Sequence, residues 1–163
     1  MRNKAEIILR KGLMTGYAGG TEPVRVQRGP FSVKSSHHAF PKEQAEYLDE
    51  WIFKRTGGGQ EIAQLGNDTA TRVFAGGVVQ EEKLKELGIT HDHVISYFRS
   101  KLAQVADRAR LHEPVILEPD GDWQYRYDIQ NEYPDVPMTV GLETISYKGQ
   151  NVFIHVFLIT PVV

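Results

Sequence analysis

Cysteine is absent from the 163 residues. Its absence excludes disulfides, thiolate metal centres and thiol nucleophiles, and it suits a cytoplasmic protein. A long apolar run is lacking as well. The longest stretch, Val152 to Ile159, is interrupted by His155 and falls far short of the roughly 20 residues that a membrane helix needs. The opening residues, Met1-Arg2-Asn3-Lys4-Ala5-Glu6, place a glutamate where a signal peptide would begin its apolar run. No sign of charge dominates: 19 lysines and arginines against 21 aspartates and glutamates leave a net charge of −2, with the signs interspersed. Such a chain has no long-range field to steer it onto nucleic acid or a lipid surface. The glycine clusters Gly19-Gly20, Gly57-Gly58-Gly59 and Gly76-Gly77 are followed by no Lys-Ser or Lys-Thr, so none is a phosphate loop. No serine occupies a nucleophile elbow, and no cofactor is expected.

What is present is an ordinary balance, 40% apolar and 25% charged, at a length that buries roughly 70% of the unfolded surface in one domain spanning residues 1–163. Ala5, Ile8, Leu9, Gly12 and Leu13 recur at helical spacing from Lys4 to Tyr17, where Gly16 and Gly19-Gly20 end the helix. Thr21 to Pro41 is punctuated by Pro23, Gly29-Pro30 and Pro41 and reads as an extended or looping segment. Lys42 to Arg55 fits a helix through Ala45, Leu48, Trp51 and Ile52, and a strand through Tyr47, Trp51 and Phe53. Gly57-Gly58-Gly59 reads as a flexible turn. Strands at Glu61–Leu65 and Ala70–Val79 are joined by Gly66-Asn67-Asp68, residue types that suit a tight hairpin. Gln80 to Leu87 is a short helix closed by Gly88. Thr90 then caps a longer helix with the apolar stripe Val94, Phe98, Leu102, Val105 and Ala109, and Arg99, Lys101, Gln104 and Arg108 form a solvated face. Beyond Pro114 the period becomes two, with Trp123, Tyr125, Tyr127 and Ile129 on one side of a strand. Thr139–Tyr147 and Val152–Ile159 form a closing hairpin through Lys148-Gly149-Gln150, and the last strand, apolar on both faces, is expected to be central.

Ile62, Gly66 and Phe74 recur in their spacing as Ile145, Gly149 and Phe157. The echo predicts two related hairpin units. Glu61 and Glu143 precede the two copies at offsets that differ by one, which turns them to opposite faces unless one copy carries a bulge. The expected architecture is therefore α+β, a twisted antiparallel sheet built from two related hairpin units with two main helices packed on it. Thr15-Gly16-Tyr17-Ala18-Gly19 and Gly141-Leu142-Glu143-Thr144-Ile145-Ser146-Tyr147-Lys148-Gly149 resemble the opening turn and closing hairpin of a bacterial family known as domain of unknown function 5680. Tyr47-Leu48-Asp49-Glu50-Trp51 and Gly59-Gln60-Glu61 are weaker likenesses. The resemblance implies a strand at Tyr47 to Phe53 and a sensing or regulatory module, standing alone or behind a helix-turn-helix domain. It carries no activity over. The chain departs from that pattern at Thr71-Arg72-Val73-Phe74, where the family has tryptophan and asparagine.

Candidate chemistry gathers on strands. Asp49, Glu61, Asp128 and Glu143 each interrupt a strand pattern, and packing of two related halves would bring some of them to a cleft with Tyr17, Tyr47 and Tyr127. There they could run acid–base chemistry or bind a cation or polyhydroxy ligand. The alternative makes them solvent-face residues paired with Arg72 or Arg126. His155, amid Phe153, Phe157 and Ile159, must find a partner or stay neutral. His91 and His93, two apart on a helix, diverge by about 200° and cannot share a metal ion, and His37-His38 has no partner at ligand spacing. The ligand-binding set expected is Tyr17, Asp49, Glu61, Tyr127, Asp128, Glu143 and His155, with no metal. The leading expectation is a module for a small polar ligand; a small enzyme using the carboxylates and His155, and a protein-interaction module, are the alternatives. A homodimer is compatible with each. In the leading reading Tyr17 and Glu143 line one pocket, and Glu143→Gln leaves folding nearly intact.

Overall fold

The computed structural model describes residues 3–163. Its strands form one nine-stranded antiparallel sheet in the order β1-β2-β3-β4-β5-β9-β8-β7-β6. A first meander runs through β1 (Val24–Arg28), β2 (Phe31–Phe40), β3 (Ala45–Phe53), β4 (Thr56–Leu65) and β5 (Asp68–Val78). A second runs through β6 (Val115–Ile116), β7 (Trp123–Tyr133), β8 (Met138–Tyr147) and β9 (Gln150–Val162), and β9 joins it to β5. The helices are α1 (Glu6–Thr15), α2 (Glu81–Leu87) and α3 (His91–Val105).

Period-two burial along β3, Ala45, Tyr47, Asp49 and Trp51 inward, settles the ambiguous Lys42–Arg55 segment as a strand entered through a 3₁₀ turn (Pro41–Glu43). Helix propensity loses there because every residue from Ala45 to Phe53 finds a ladder partner on β4. Thr21–Pro41, expected to be extended or looping, holds the β1–β2 hairpin, and one expectation is corrected: Gly57-Gly58-Gly59 lies inside β4. A Cβ on Gly59 would stand 2.6 Å from the Phe74 ring and 2.7 Å from Trp51 Cβ, so that glycine makes room for aromatic neighbours, whereas Gly57 and Gly58 lie close to the backbone of the flanking strands.

The helices cover one face of the sheet. Ile8 and Leu9 of α1 pack with Tyr47, Ala63 and Ala70, while Val94, Phe98, Leu102 and Val105 of α3 pack with Tyr125, Tyr127, Phe153 and Phe157. Thr90 caps α3 through its hydroxyl, and the His93 ring accepts the Thr90 N–H in return, so the histidine pair is a polar first turn. The other face lies open: Ile154, Val156 and Leu158 of β9 are 37–41% exposed, so the central strand is covered on one side only.

Both echoed segments are hairpins, β4–β5 and β8–β9. Their isoleucines are not equivalent, since Ile62 is half-buried and Ile145 is fully buried. A register shift at Ile145/Ser146 puts one extra residue into the second hairpin, and Glu61 and Glu143 consequently both point to the covered face.

Candidate functional site

Two carboxylates are buried against guanidinium groups beneath the helices. Glu61 takes two hydrogen bonds from Arg72, each at 2.5 Å, and one from the Tyr47 hydroxyl at 2.6 Å. Glu143 takes two from Arg110, at 3.0 and 2.8 Å, and one from the Tyr125 hydroxyl at 2.6 Å. Burial alone would push both carboxyl groups up, but the paired guanidinium charges reverse the shift, lowering Glu61 and taking Glu143 down to about 2. Arg110 joins the two clusters, because its carbonyl accepts from Arg72 at 2.9 Å while its own side chain holds Glu143. It does so from a left-handed backbone conformation, φ 62°, which is uncommon for a residue with a side chain and is held here by buried hydrogen bonds at both ends.

Register places these groups at corresponding points about the β5–β9 seam. Phe74 faces Phe157 across it. Arg72 and His155 each precede those phenylalanines by two residues, and each lies opposite a glutamate, Glu61 and Glu143. Opposite the glutamates stand Asp49 and Tyr127. Two residues before these come Tyr47 and Tyr125, the hydroxyl donors. The halves differ in what supplies the cation. In the first half it is the strand residue, Arg72. In the second it is Arg110 from the segment after α3, and His155, at the Arg72 position, is left over. Tyr127 donates to the Leu111 carbonyl at 2.6 Å, whereas its counterpart Asp49 has no such structural bond.

These two leftover groups open onto one cavity of about 220 Å³ between α3 and the sheet. Tyr17, Asp49, Glu61 and His155 line it, as do Trp51, Phe53, Phe74, Phe98 and Phe153, with Arg110 also on its wall. Asp49 is 5% exposed and His155 6%. Asp49 Oδ1 and both ring nitrogens of His155 are buried without a hydrogen-bond partner. The nearest carboxylate oxygen to His155 is Glu143 Oε2 at 3.6 Å, beyond a hydrogen bond. Burial and then the Glu61 charge push the Asp49 carboxyl well up. Burial among aromatic rings, with Phe153 at 4.3 Å and Phe53 at 5.3 Å, pulls the His155 imidazole down and outweighs the opposing pull of Glu143. The cavity therefore presents a neutral imidazole and a carboxyl that is easily protonated, the state in which each can both donate and accept.

Three of the expected residues lie elsewhere. Glu143 is fully buried behind the cavity, clamped by Arg110, so Tyr17 and Glu143 do not share a pocket wall. Tyr127 is fully buried against Gly141, where a Cβ would come within 2.5 Å of its ring. Asp128 is on the open face, paired with Arg126 at 3.1 Å, as the solvent-face alternative has it. Pairing with Arg72 likewise holds for Glu61, although on the covered face. Sequence reasoning missed Arg110, a lone arginine after a helix that gives no periodic signal. It also assigned Arg99 to a solvated surface; Arg99 is exposed, but it borders the cavity and donates to the Tyr17 hydroxyl at 3.4 Å. Among the described residues no group of His, Asp and Glu is placed to hold a metal ion, and no helix is long and apolar enough to cross a membrane.

No protein-family model, no curated protein and no solved structure matches this chain.

Proposed function

We propose that the protein is a small-molecule-binding module whose site is the aromatic cavity between α3 and the sheet. One observation carries this reading: of the five buried side-chain atoms without a hydrogen-bond partner among the described residues, three belong to Asp49 and His155 and face that cavity. Leaving a buried polar group unsatisfied costs about 1–3 kcal/mol, and a ligand that completes the bonds recovers that cost. The kinship with domain of unknown function 5680, and the sensing role it implies, belong to the same proposal.

We further infer that the two meanders are copies of one ancestral unit. The matched Tyr–Glu clusters about the β5–β9 seam support it, and so does the substitution of function at two paired positions. Where Arg72 and Tyr127 hold the fold, their counterparts His155 and Asp49 are free of structural duty and available to a ligand.

An acid–base enzyme is the second reading, favoured by Glu143 standing 3.6 Å from the His155 imidazole. An interaction module or homodimer would use the open face, where Val73, Ile154, Val156 and Leu158 are exposed, but there Asp128 and Arg126 are already paired with each other. A thermal-shift screen of small polar aromatic compounds tests the leading reading. A ligand at 100 times its Kd adds about 2.7 kcal/mol to stability and raises Tm accordingly. Binding should be lost in Asp49→Asn and His155→Leu; hits that bind both variants as well as the parent would sink the assignment.

A further inference from the structure

We propose that the cavity takes a planar aromatic acid, its ring between the phenylalanines and its anionic group at the mouth against Lys34 and Lys54. The inference rests on the small-molecule reading above and deepens it.

Size sets the first bound. A cavity of about 150 Å³ holds benzene, so about 220 Å³ accepts one substituted ring or a small fused pair. Wall chemistry sets the second. Phe53 and Phe74 lie nearly parallel, 6.3 Å between centroids, and Phe98 and Phe153 stack at 4.5 Å, which gives flat apolar surfaces for a conjugated ring.

Charge decides the rest. The acids on the cavity wall are Asp49 and Glu61, and Glu61 is already neutralised by Arg72. The cations are Arg110, committed to Glu143, and Lys34, Lys54 and Arg99, with His91 beside them. Lys54 and Arg99 are exposed and Lys34 is half-buried, so these three stand toward the opening. Arg99 has the Tyr17 hydroxyl and feels Glu22, and His91 has Asp92 at 3.5 Å. Lys34 and Lys54 pair with no carboxylate among the described residues. Two unpaired ammonium groups at the mouth, on a chain whose net charge is −2, favour an anion and disfavour a cation there. Asp49 and His155 inside then meet the polar edge of the ring, each able to donate or accept.

The test is isothermal titration calorimetry with two acids, indole-3-acetate and phenyl phosphate, and two neutral counterparts, indole-3-acetamide and phenol. Each acid should bind at least about tenfold more tightly than its neutral counterpart, and the advantage should shrink in roughly 0.5 M salt. The better acid tells a carboxylate from a phosphate. A Lys34→Gln/Lys54→Gln variant, with its fold checked by its melting transition, should bind acid and neutral compound equally. Equal binding by the parent protein overturns the acid inference and leaves the cavity reading standing. So does an acid preference that survives in the double variant. If none of the four compounds binds, the acid inference falls, and the cavity reading stands or falls by the thermal-shift screen.

Discussion

Asp49 and Glu143 are both buried aspartate or glutamate side chains on the covered face, and their substitution should have opposite consequences. Glu143 is held by Arg110 and Tyr125, so Glu143→Gln leaves a buried guanidinium short of its counter-charge. We predict a loss of about 3–5 kcal/mol, read as a lower urea midpoint, in contrast to the nearly neutral effect that the sequence suggests. Asp49 has no compensating bond at Oδ1, and its folded-state pKa is raised by burial and then by Glu61. A carboxyl whose folded pKa lies above its unfolded value favours folding when protonated, and that contribution is lost as pH rises from the unfolded pKa through the folded one. Asp49→Asn removes the penalty. It should therefore stabilise the protein by about 1 kcal/mol at neutral pH with little effect below pH 4, while abolishing ligand binding. A Tm that falls at pH 7 would show that Asp49 serves the fold.

At the level of elements, α3 is both the lid of the core and one wall of the cavity. Phe98 is 3% exposed, stacks on Phe153 at 4.5 Å and lies 5.4 Å beneath the Arg110 guanidinium. Phe98→Ala should cost about 3 kcal/mol, toward the low end for a buried phenylalanine because the void it leaves merges with an existing cavity. An unchanged denaturation midpoint would contradict the packing. This helix was legible in the sequence, since Thr90 and the stripe from Val94 to Val105 carry their own local signals. So were β5, β7, β8 and β9, the first three through residue types and alternation that suit strands and β9 through its apolar run from Val152 to Ile159. The β1–β2 hairpin was not, because its alternation is confined to Val24 and Val26 between Pro23 and Gly29-Pro30, and at the sheet edge Val24 and Phe31 stay exposed, so no long apolar pattern marks it. Nor was the glycine run in β4, where Gly59 accommodates Trp51 and Phe74 from neighbouring strands and Gly57 and Gly58 lie close to backbone, a non-local cause. Of the candidate site, Tyr17, Asp49, Glu61 and His155 were visible as polar or aromatic breaks in packing-driven segments. Arg110 was not, because its role arises from the meeting of two hairpins distant in sequence.

Across the whole molecule, the two Tyr–Glu–Arg clusters are coupled through Arg110, so stability in acid should reflect both at once. Glu61 and Glu143 have folded pKa values below the ordinary 4.5, Glu143 at about 2. For a depressed carboxyl, the unfolded chain binds the proton first as pH falls. The stabilisation is present in full above about pH 4.5 and is lost as pH drops through the folded value. The depression at Glu143 corresponds to a contribution on the order of 3 kcal/mol. Glu61 adds a further loss of the same sign, while Asp49 acts oppositely. Denaturant midpoints measured from pH 2 to 7 should therefore rise steeply between about pH 2 and 4.5 and flatten, or fall slightly, above it as Asp49 deprotonates. Asp49→Asn should remove that upper decline and keep the acid limb, because the limb belongs to the glutamates. Unfolding should remain a single transition throughout, since Arg110 ties one meander to the other at the carbonyl and at the guanidinium. Two separated transitions in acid would mean that the halves fold independently and that the Arg110 link contributes nothing.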